Sequence, residues 1–168
     1  MSVDRIMDGV FVPQAATWVS VSPQLRTLRR FLLAVVGLPF GLAAAAVLGV
    51  FVASWLGVLV GVAAVAGSVW AWLLIDRNYR SWRYAEREQD LLVSHGVLFR
   101  QLVVVPYGRM QFVDVEAGPL ERKFGIATVQ LHTAAASTDA RIPGVPPDEA
   151  ARLRDRLAAL GEARSAGL

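Results

Sequence analysis

His95 and His132 are the only imidazoles in a chain of 168 residues that contains no cysteine. A zinc centre needs three or four converging ligands, and no acid or third ligand recurs at metal spacing around either histidine. His95 falls in a predicted turn and His132 at a strand end. Without cysteine there is no thiolate nucleophile, no Cys-based metal site and no disulfide framework. Ser94 and His95 are adjacent, but neighbours in a hairpin do not make a catalytic triad. Asp114 and Glu116 share one strand face by their two-residue spacing, as surface charges or partners of Arg100 and Arg109 rather than as an acid–base pair. The stretch GVAAVAG at 61–67 lies inside an uncharged apolar block and is no phosphate loop. What remains is contact chemistry. Arg77, Arg80 and Arg83, with Arg122 and Lys123, are the candidate contacts to anionic lipid or a partner, each basic group adding ~1 kcal/mol near a charged bilayer. No catalytic, cofactor-binding or metal residue is assigned, no cofactor is expected, and the chain reads as a non-enzyme.

These residues flank or follow an element that dominates the composition. The chain is 55% hydrophobic with a net charge of +3, and no charged residue occurs from Phe31 to Ile75. One membrane span takes ~20 apolar residues, so the block holds two spans, at 31–52 and 56–75, with a tight turn near Ser54-Trp55. The basic excess sits on its flanks, Arg26, Arg29 and Arg30 before and Arg77, Arg80, Arg83 and Arg87 after. That distribution marks a membrane border and not a nucleic-acid face. Arginine at both outer ends and none in the turn places the N-terminus (residues 1–30, a lead-in) and the C-terminal domain in the cytoplasm, in a multi-pass protein of the inner membrane. Trp70 and Trp72 fall near the cytoplasmic end and Trp55 near the outer turn, at interfacial depths. The long charged lead and the length of the apolar run argue against a signal peptide. Gly37/Gly41 and Gly57/Gly61 have GxxxG spacing and, with Gly67, suit close packing within the hairpin, or dimerisation or docking on a membrane partner. The block has no ionisable group for an ion or proton path.

Thr17 to Arg30 reads as an interfacial lead-in, with Ser22 capping a helix opened by Pro23; residues 1–12 read as weakly ordered. Beyond Arg77 the period becomes alternating. Residues 82–88 place Trp82 and Tyr84 on one face. Leu91–Ser94 is a strand turned tightly at His95-Gly96, Val97–Pro106 the next, then a turn at Tyr107-Gly108. Arg109–Ala117 follows, with Val113, Val115 and Ala117 on a core face. At the corner Gly118-Pro119 the chain bends, Leu120 and Phe124 close a helical turn onto the core, Glu121, Arg122 and Lys123 face out, and Gly125 permits the return. Strands at Ile126–Thr133 and Thr138–Ile142 come next. Pro146-Pro147-Asp148-Glu149 opens a helix whose Ala150, Leu153, Leu157 and Leu160 form a buried stripe and which Gly161 ends. The fold class is a membrane helical hairpin plus a β-rich, pleckstrin-homology-like barrel or sandwich over 78–162 capped by a C-terminal helix, with a tail at 163–168.

The run Pro106, Arg109, Gln111, Val113, Asp114, Val115, Gly118, Pro119, Leu120, Arg122, Gly125 and Ala127, followed by RIPGV at 141–145, resembles the bacterial PH-domain membrane proteins of the YdbS-like type. The likeness covers roughly residues 18–160. Met110 and Phe112 depart from it, standing in a strand where many relatives are more polar. It implies a two-helix anchor with one cytoplasmic PH-like domain, and it brings no catalytic residues. Eukaryotic PH domains often bind inositol phosphates through basic residues in the first hairpin loop; the matching loop here, Glu88-Gln89-Asp90, is acidic and argues against that ligand. The expected partners are the lipid bilayer and a membrane protein or a second copy, not nucleic acid. The leading reading is an adaptor or scaffold for an envelope protein at the inner leaflet; the alternative is a module sensing anionic lipid.

Overall fold

The computed structural model describes residues 17–134 and 139–165. The chain divides into a helical unit, Arg26–Arg77, and a β-rich unit made of everything after it together with residues up to Leu25. The expectation of weak order at 1–12 and residues 166–168 of the expected tail fall outside the described residues, whereas 163–165 are helical and not tail.

The helical unit is an uninterrupted rod, a two-residue turn and a second rod. Helix α1 (Gln24–Leu32) runs through a π-helical stretch (Leu33–Gly37) into α2 (Leu38–Phe51), and α3 spans Ser54–Ser81. The π stretch has a local cause. Pro39 lacks an N–H, and its ring would press on the carbonyl four residues back in a regular helix, so the turn before it widens and the Leu38 N–H bonds the Leu33 carbonyl instead. Each rod has 28 residues and is long and apolar enough to cross a membrane. The turn falls at Val52 and Ala53, whose N–H groups both donate to the Leu48 carbonyl at 3.0 Å; Trp55 therefore lies in the first turn of α3 rather than in the connection.

Small residues let the two rods touch. A methyl group on Gly57 would lie 2.6 Å from the Gly49 Cα and 2.8 Å from the Ala45 carbonyl oxygen, and one on Gly41 would lie 2.8 Å from the Ala64 Cβ. Of the expected glycines, Gly41 and Gly57 thus sit at the close approach, whereas Gly37 meets only its own Leu33 and Gly67 meets nothing. At the charged end Asp76 accepts from Arg26 at 3.1 Å and Arg30 at 3.3 Å, and the Arg30 guanidinium lies 4.5 Å from the Trp72 ring centre.

The β-rich unit holds two antiparallel sheets and two helices. Strands β1 (Val19–Ser20), β2 (Arg83–Glu86), β3 (Asp90–His95) and β4 (Gln101–Pro106) form the first sheet in that order. After a 3₁₀ turn at Tyr107–Arg109, β5 (Met110–Glu116), β6 (Ala127–Thr133) and β7 (Ala140–Val145) form the second. Helix α4 (Pro119–Lys123) bridges β5 and β6, and α5 (Pro147–Ser165) follows β7. Leu91, Val105, Tyr107, Ile126, Val129, Leu153 and Leu157 are completely buried and form the core, as the alternating strands and the α5 stripe require.

Several expectations are corrected. The lead-in is not merely interfacial. Val19 pairs with Tyr84 and Ser20 with Arg83, the Ser22 N–H donates to the Gly144 carbonyl at 2.8 Å, and Val21 and Leu25 are buried. The membrane hairpin is therefore an insertion between the first two strands of one domain, whose sequence is discontinuous. Consequently the loop read at Glu88-Gln89-Asp90, which leads from β2 into β3, is the second connection of the sheet, not the first. Gly144 has φ +72, and a Cβ there would lie 2.7 Å from the Leu25 Cβ, so the RIPGV glycine is needed both for its backbone and for the docking of the lead-in.

The hairpin after β3 is not tight at His95-Gly96: His95 pairs with Gln101, and residues 96–100 form a five-residue loop. Thr138 lies outside the described residues, and the strand there is Ala140–Val145. Val113 and Val115 are half-buried and Ala117 is exposed, so this face is not fully core. Leu120 is 39% exposed and does not close onto the core. Gly161 lies inside α5, which runs on because its last turn still has a partner, the Arg164 guanidinium donating to the Glu88 carbonyl at 3.1 Å.

Candidate functional site

The five candidate contact residues are all exposed. They sit on separate elements: Arg77 and Arg80 on α3, Arg83 on β2, Arg122 and Lys123 on α4. The corner that carries the last two is built by its neighbours. Glu121, expected to face out, turns inward and accepts from the Gly118 N–H at 2.9 Å and the Thr128 hydroxyl at 3.0 Å. The Arg122 N–H donates to the Gly118 carbonyl at 2.9 Å, Ile126 N–H closes back on the Glu121 carbonyl at 3.0 Å, and Gly125 takes φ +64. A carboxylate three residues after the cap, behind a proline at the first helical position, is a helix-start signal visible in the sequence; reading the segment as a charged turn hid it.

Two polar clusters merit a chemical test. Glu86, Glu149, Arg152, Arg156 and Tyr84 link β2 to α5. Arg152 donates to Glu86 at 2.6 Å and to Glu149 at 2.7 and 2.8 Å, Arg156 meets Glu86 at 3.0 Å, and the Tyr84 hydroxyl donates to Glu149 at 3.0 Å. Burial, then the Glu149 carboxylate, pushes the Tyr84 phenol above its usual range. Arg152 holds the Glu149 carboxyl below its usual value. A protonated phenol and a fully ionised carboxylate are the reverse of groups poised near neutrality for proton transfer, so the cluster acts as a clasp. In the second cluster His132 stacks on Phe112 with ring centres 4.4 Å apart and faces Asp139 at 3.3 Å. The Thr133 N–H, at 2.8 Å, is the main cause of the lowered Asp139 pKa, with His132 adding to it. Glu116 accepts from the Gln130 amide at 2.5 Å. Among the described residues no three His, Cys, Asp or Glu gather as a metal site.

One groove of the β-rich unit was not read from the sequence. A groove of about 360 Å³ runs between β5 and α5, with Met110, Gln111, Phe112 and Val113 on one wall and Arg154, Leu157 and Glu162 among the residues of the other. Its lining is about equally polar and apolar. Among the described residues β5 pairs only with β6, so its other edge leaves main-chain donors and acceptors unpaired. A register shift between Met110 and Phe112 interrupts the pairing beside the groove. Phe112, 52% exposed, is the largest apolar surface there. The expected departure of Met110 and Phe112 from the resembled pattern was the one sequence signal pointing to this wall.

Comparison with known proteins agrees with this architecture. The bacterial PH domain family matches residues 28–161. The chain is 35% identical over 107 residues to the UPF0699 transmembrane protein YdbS of Bacillus subtilis (strain 168), a match covering 63% of this chain and 66% of that protein. It thus spans just under two thirds of that relative. No solved structure matches. The family match begins inside α1, after β1, so the discontinuity of the domain is visible only in the strand pairing. With two apolar rods, two antiparallel sheets and a closing helix in PH-like order, the chain belongs to the bacterial PH domain family.

Proposed function

We propose that this protein is a membrane-anchored interaction module, an adaptor or scaffold that holds another envelope protein at the inner leaflet of the cell membrane. The hairpin is its multi-pass anchor, and both termini and the β-rich domain are cytoplasmic. The observation that carries this reading is the groove between α5 and the free edge of β5. An extended peptide added to such an edge gains main-chain hydrogen bonds, while side-chain pockets supply selectivity. The groove has both: an unpaired strand edge and a mixed wall bearing Arg154 and Glu162. Arginine at the outer ends of both rods and none at Val52-Ala53 supports this topology. The clasp and corner chemistry engage their own groups, which suits binding better than catalysis.

The test is a photo-reactive phenylalanine analogue at Gln111, in the full chain in native membranes. One discrete adduct, absent when the analogue is at Lys123 and lost with Arg154→Glu, supports the reading; equal labelling from both positions sinks it. The second reading, an anionic-lipid sensor, is favoured by the exposure of Arg77, Arg80, Arg83, Arg122 and Lys123. It requires that charge reversal of these residues lower the anionic lipid retained by the purified protein. Unchanged retention removes it.

A further inference from the structure

We propose that the loop between β3 and β4 is a bilayer contact, with Leu98 and Phe99 entering the headgroup–acyl boundary of the membrane that the hairpin crosses. The proposal rests on the membrane reading of the hairpin and is independent of the groove. Leu98 and Phe99 are 83% and 84% exposed, more than any other large apolar residue described in the β-rich unit. Neither the core nor the groove uses them.

Topology brings the loop to the membrane end of the sheet. In an antiparallel run β1-β2-β3-β4, alternate connections leave from the same end. The β1–β2 connection is the membrane hairpin itself, so the β3–β4 loop emerges where the chain departs for and returns from the bilayer. The register agrees: Arg83, at the start of β2, pairs with Ser94, and His95 pairs with Gln101. Local contacts fix the base of the loop beside the last turn of α3. The Gly96 N–H donates to the Ser81 hydroxyl at 3.1 Å, and Trp82 stacks on His95 with ring centres 4.4 Å apart. Gly96 has φ +107, and a Cβ there would collide with the Phe99 carbonyl, so the loop folds back over its own first residue. Leu98 and Phe99 at the tip, Trp82 stacked at its base, and the exposed Arg80, Arg83 and Arg100 on the segments that flank that base make the composition of an interfacial anchor. A bilayer is the occupant that this apolar tip meets by chain connectivity alone.

Because the natural sequence has no cysteine, single spin labels can be placed without background. The full chain carrying Phe99→Cys, Lys123→Cys or Val58→Cys is reconstituted in vesicles of phosphatidylethanolamine and phosphatidylglycerol. Label collisions with oxygen and with a water-soluble nickel chelate are then compared. The proposal expects oxygen to dominate at position 99, at a depth of about 5–10 Å, and at 58, with nickel dominating at 123. Nickel dominance at 99 with oxygen dominance at 58 overturns the proposal and leaves the hairpin in the membrane. Protection of position 99 from both reagents points to a covering protein and also overturns it. Nickel dominance at 58 removes the membrane reading along with this one. A label at Leu98→Cys reads the same tip if the Phe99 variant folds poorly.

Discussion

The two units use the same residue types in opposite ways. In the β-rich unit leucine, isoleucine and valine point inward: Leu91, Val105, Ile126, Val129, Leu153 and Leu157 have no exposed surface. In the helical unit they point outward, Phe40, Val50, Phe51, Val58 and Val62 being 65% or more exposed, and the contact between rods is made by glycine and alanine. The difference follows from the solvent each unit answers to. Water expels apolar surface, by about 25 cal/mol for each Å² buried, whereas lipid is as apolar as leucine and gives no such drive. There, close backbone approach through small residues supplies the attraction. Hydrophobicity alone thus reports where a residue sits only once its solvent is known.

The sharpest way to break the contrast is to damage one unit and watch the other. Leu153→Ala should cost the β-rich unit about 2–5 kcal/mol through the cavity it leaves, read as a lowered thermal transition of its β-sheet signal, while crosslinking between engineered cysteines on α2 and α3 stays at the natural yield. Gly57→Val should do the reverse. Its side chain would meet the Gly49 backbone, a misfit of about 1–3 kcal/mol, so the α2–α3 crosslink should fall with the sheet transition unmoved. Loss of both signals from either change would make the units one cooperative body and end the comparison.

Smaller effects resolve the interior of the β-rich unit. Gly125→Val places a branched side chain at φ +64 with nothing within 4 Å of its Cβ, so the cost should be backbone strain of about 1–2 kcal/mol, measured by denaturant unfolding. Tyr84→Phe removes one hydrogen bond to Glu149, at about 0.5–1.5 kcal/mol, and should alter the pH dependence in a fixed direction. The Glu149 carboxyl is depressed from its ordinary 4.5, so its contribution is present above that value and is lost as pH falls through the folded value. The raised Tyr84 phenol contributes below its ordinary 10.0 and loses that contribution as pH rises through its higher folded value. Tyr84→Phe should therefore flatten the alkaline limb of the stability profile and shrink the acid limb only in part, because Arg152 lowers the Glu149 carboxyl more than Tyr84 does. Least of all, Arg122→Glu with Lys123→Glu should shift stability by no more than about 0.5 kcal/mol each, as exposed positions do; a larger loss would give these side chains a structural role.

Much of the molecule was legible because its signals are local. The uncharged stretch from Phe31 to Ile75, the alternation along β6 and the stripe of Ala150, Leu153 and Leu157 each depend on the period of one element and the solvent on its faces. Gly125 was legible too, since a glycine leading into a strand marks a return, and it does take a positive φ. The groove was not. Its walls, β5 and α5, lie more than thirty residues apart in the chain, and no pattern within either says that the other leaves a gap beside it.

The sequence by itself determined the composition of the two units, the order of most elements and the places where the chain turns, because period, charge and turn chemistry act over a few residues. Tertiary structure alone decided that Val19 and Ser20 close a sheet begun again at Arg83, across the whole hairpin. It decided that Gly49 is the residue Gly57 meets, that Glu121 turns inward to Thr128, and that Val113 is only half-buried. Each of these is a choice of partner among distant segments. Such a choice is made by shape and by the pairing of backbone groups once the elements are brought together, and a local pattern carries no record of it.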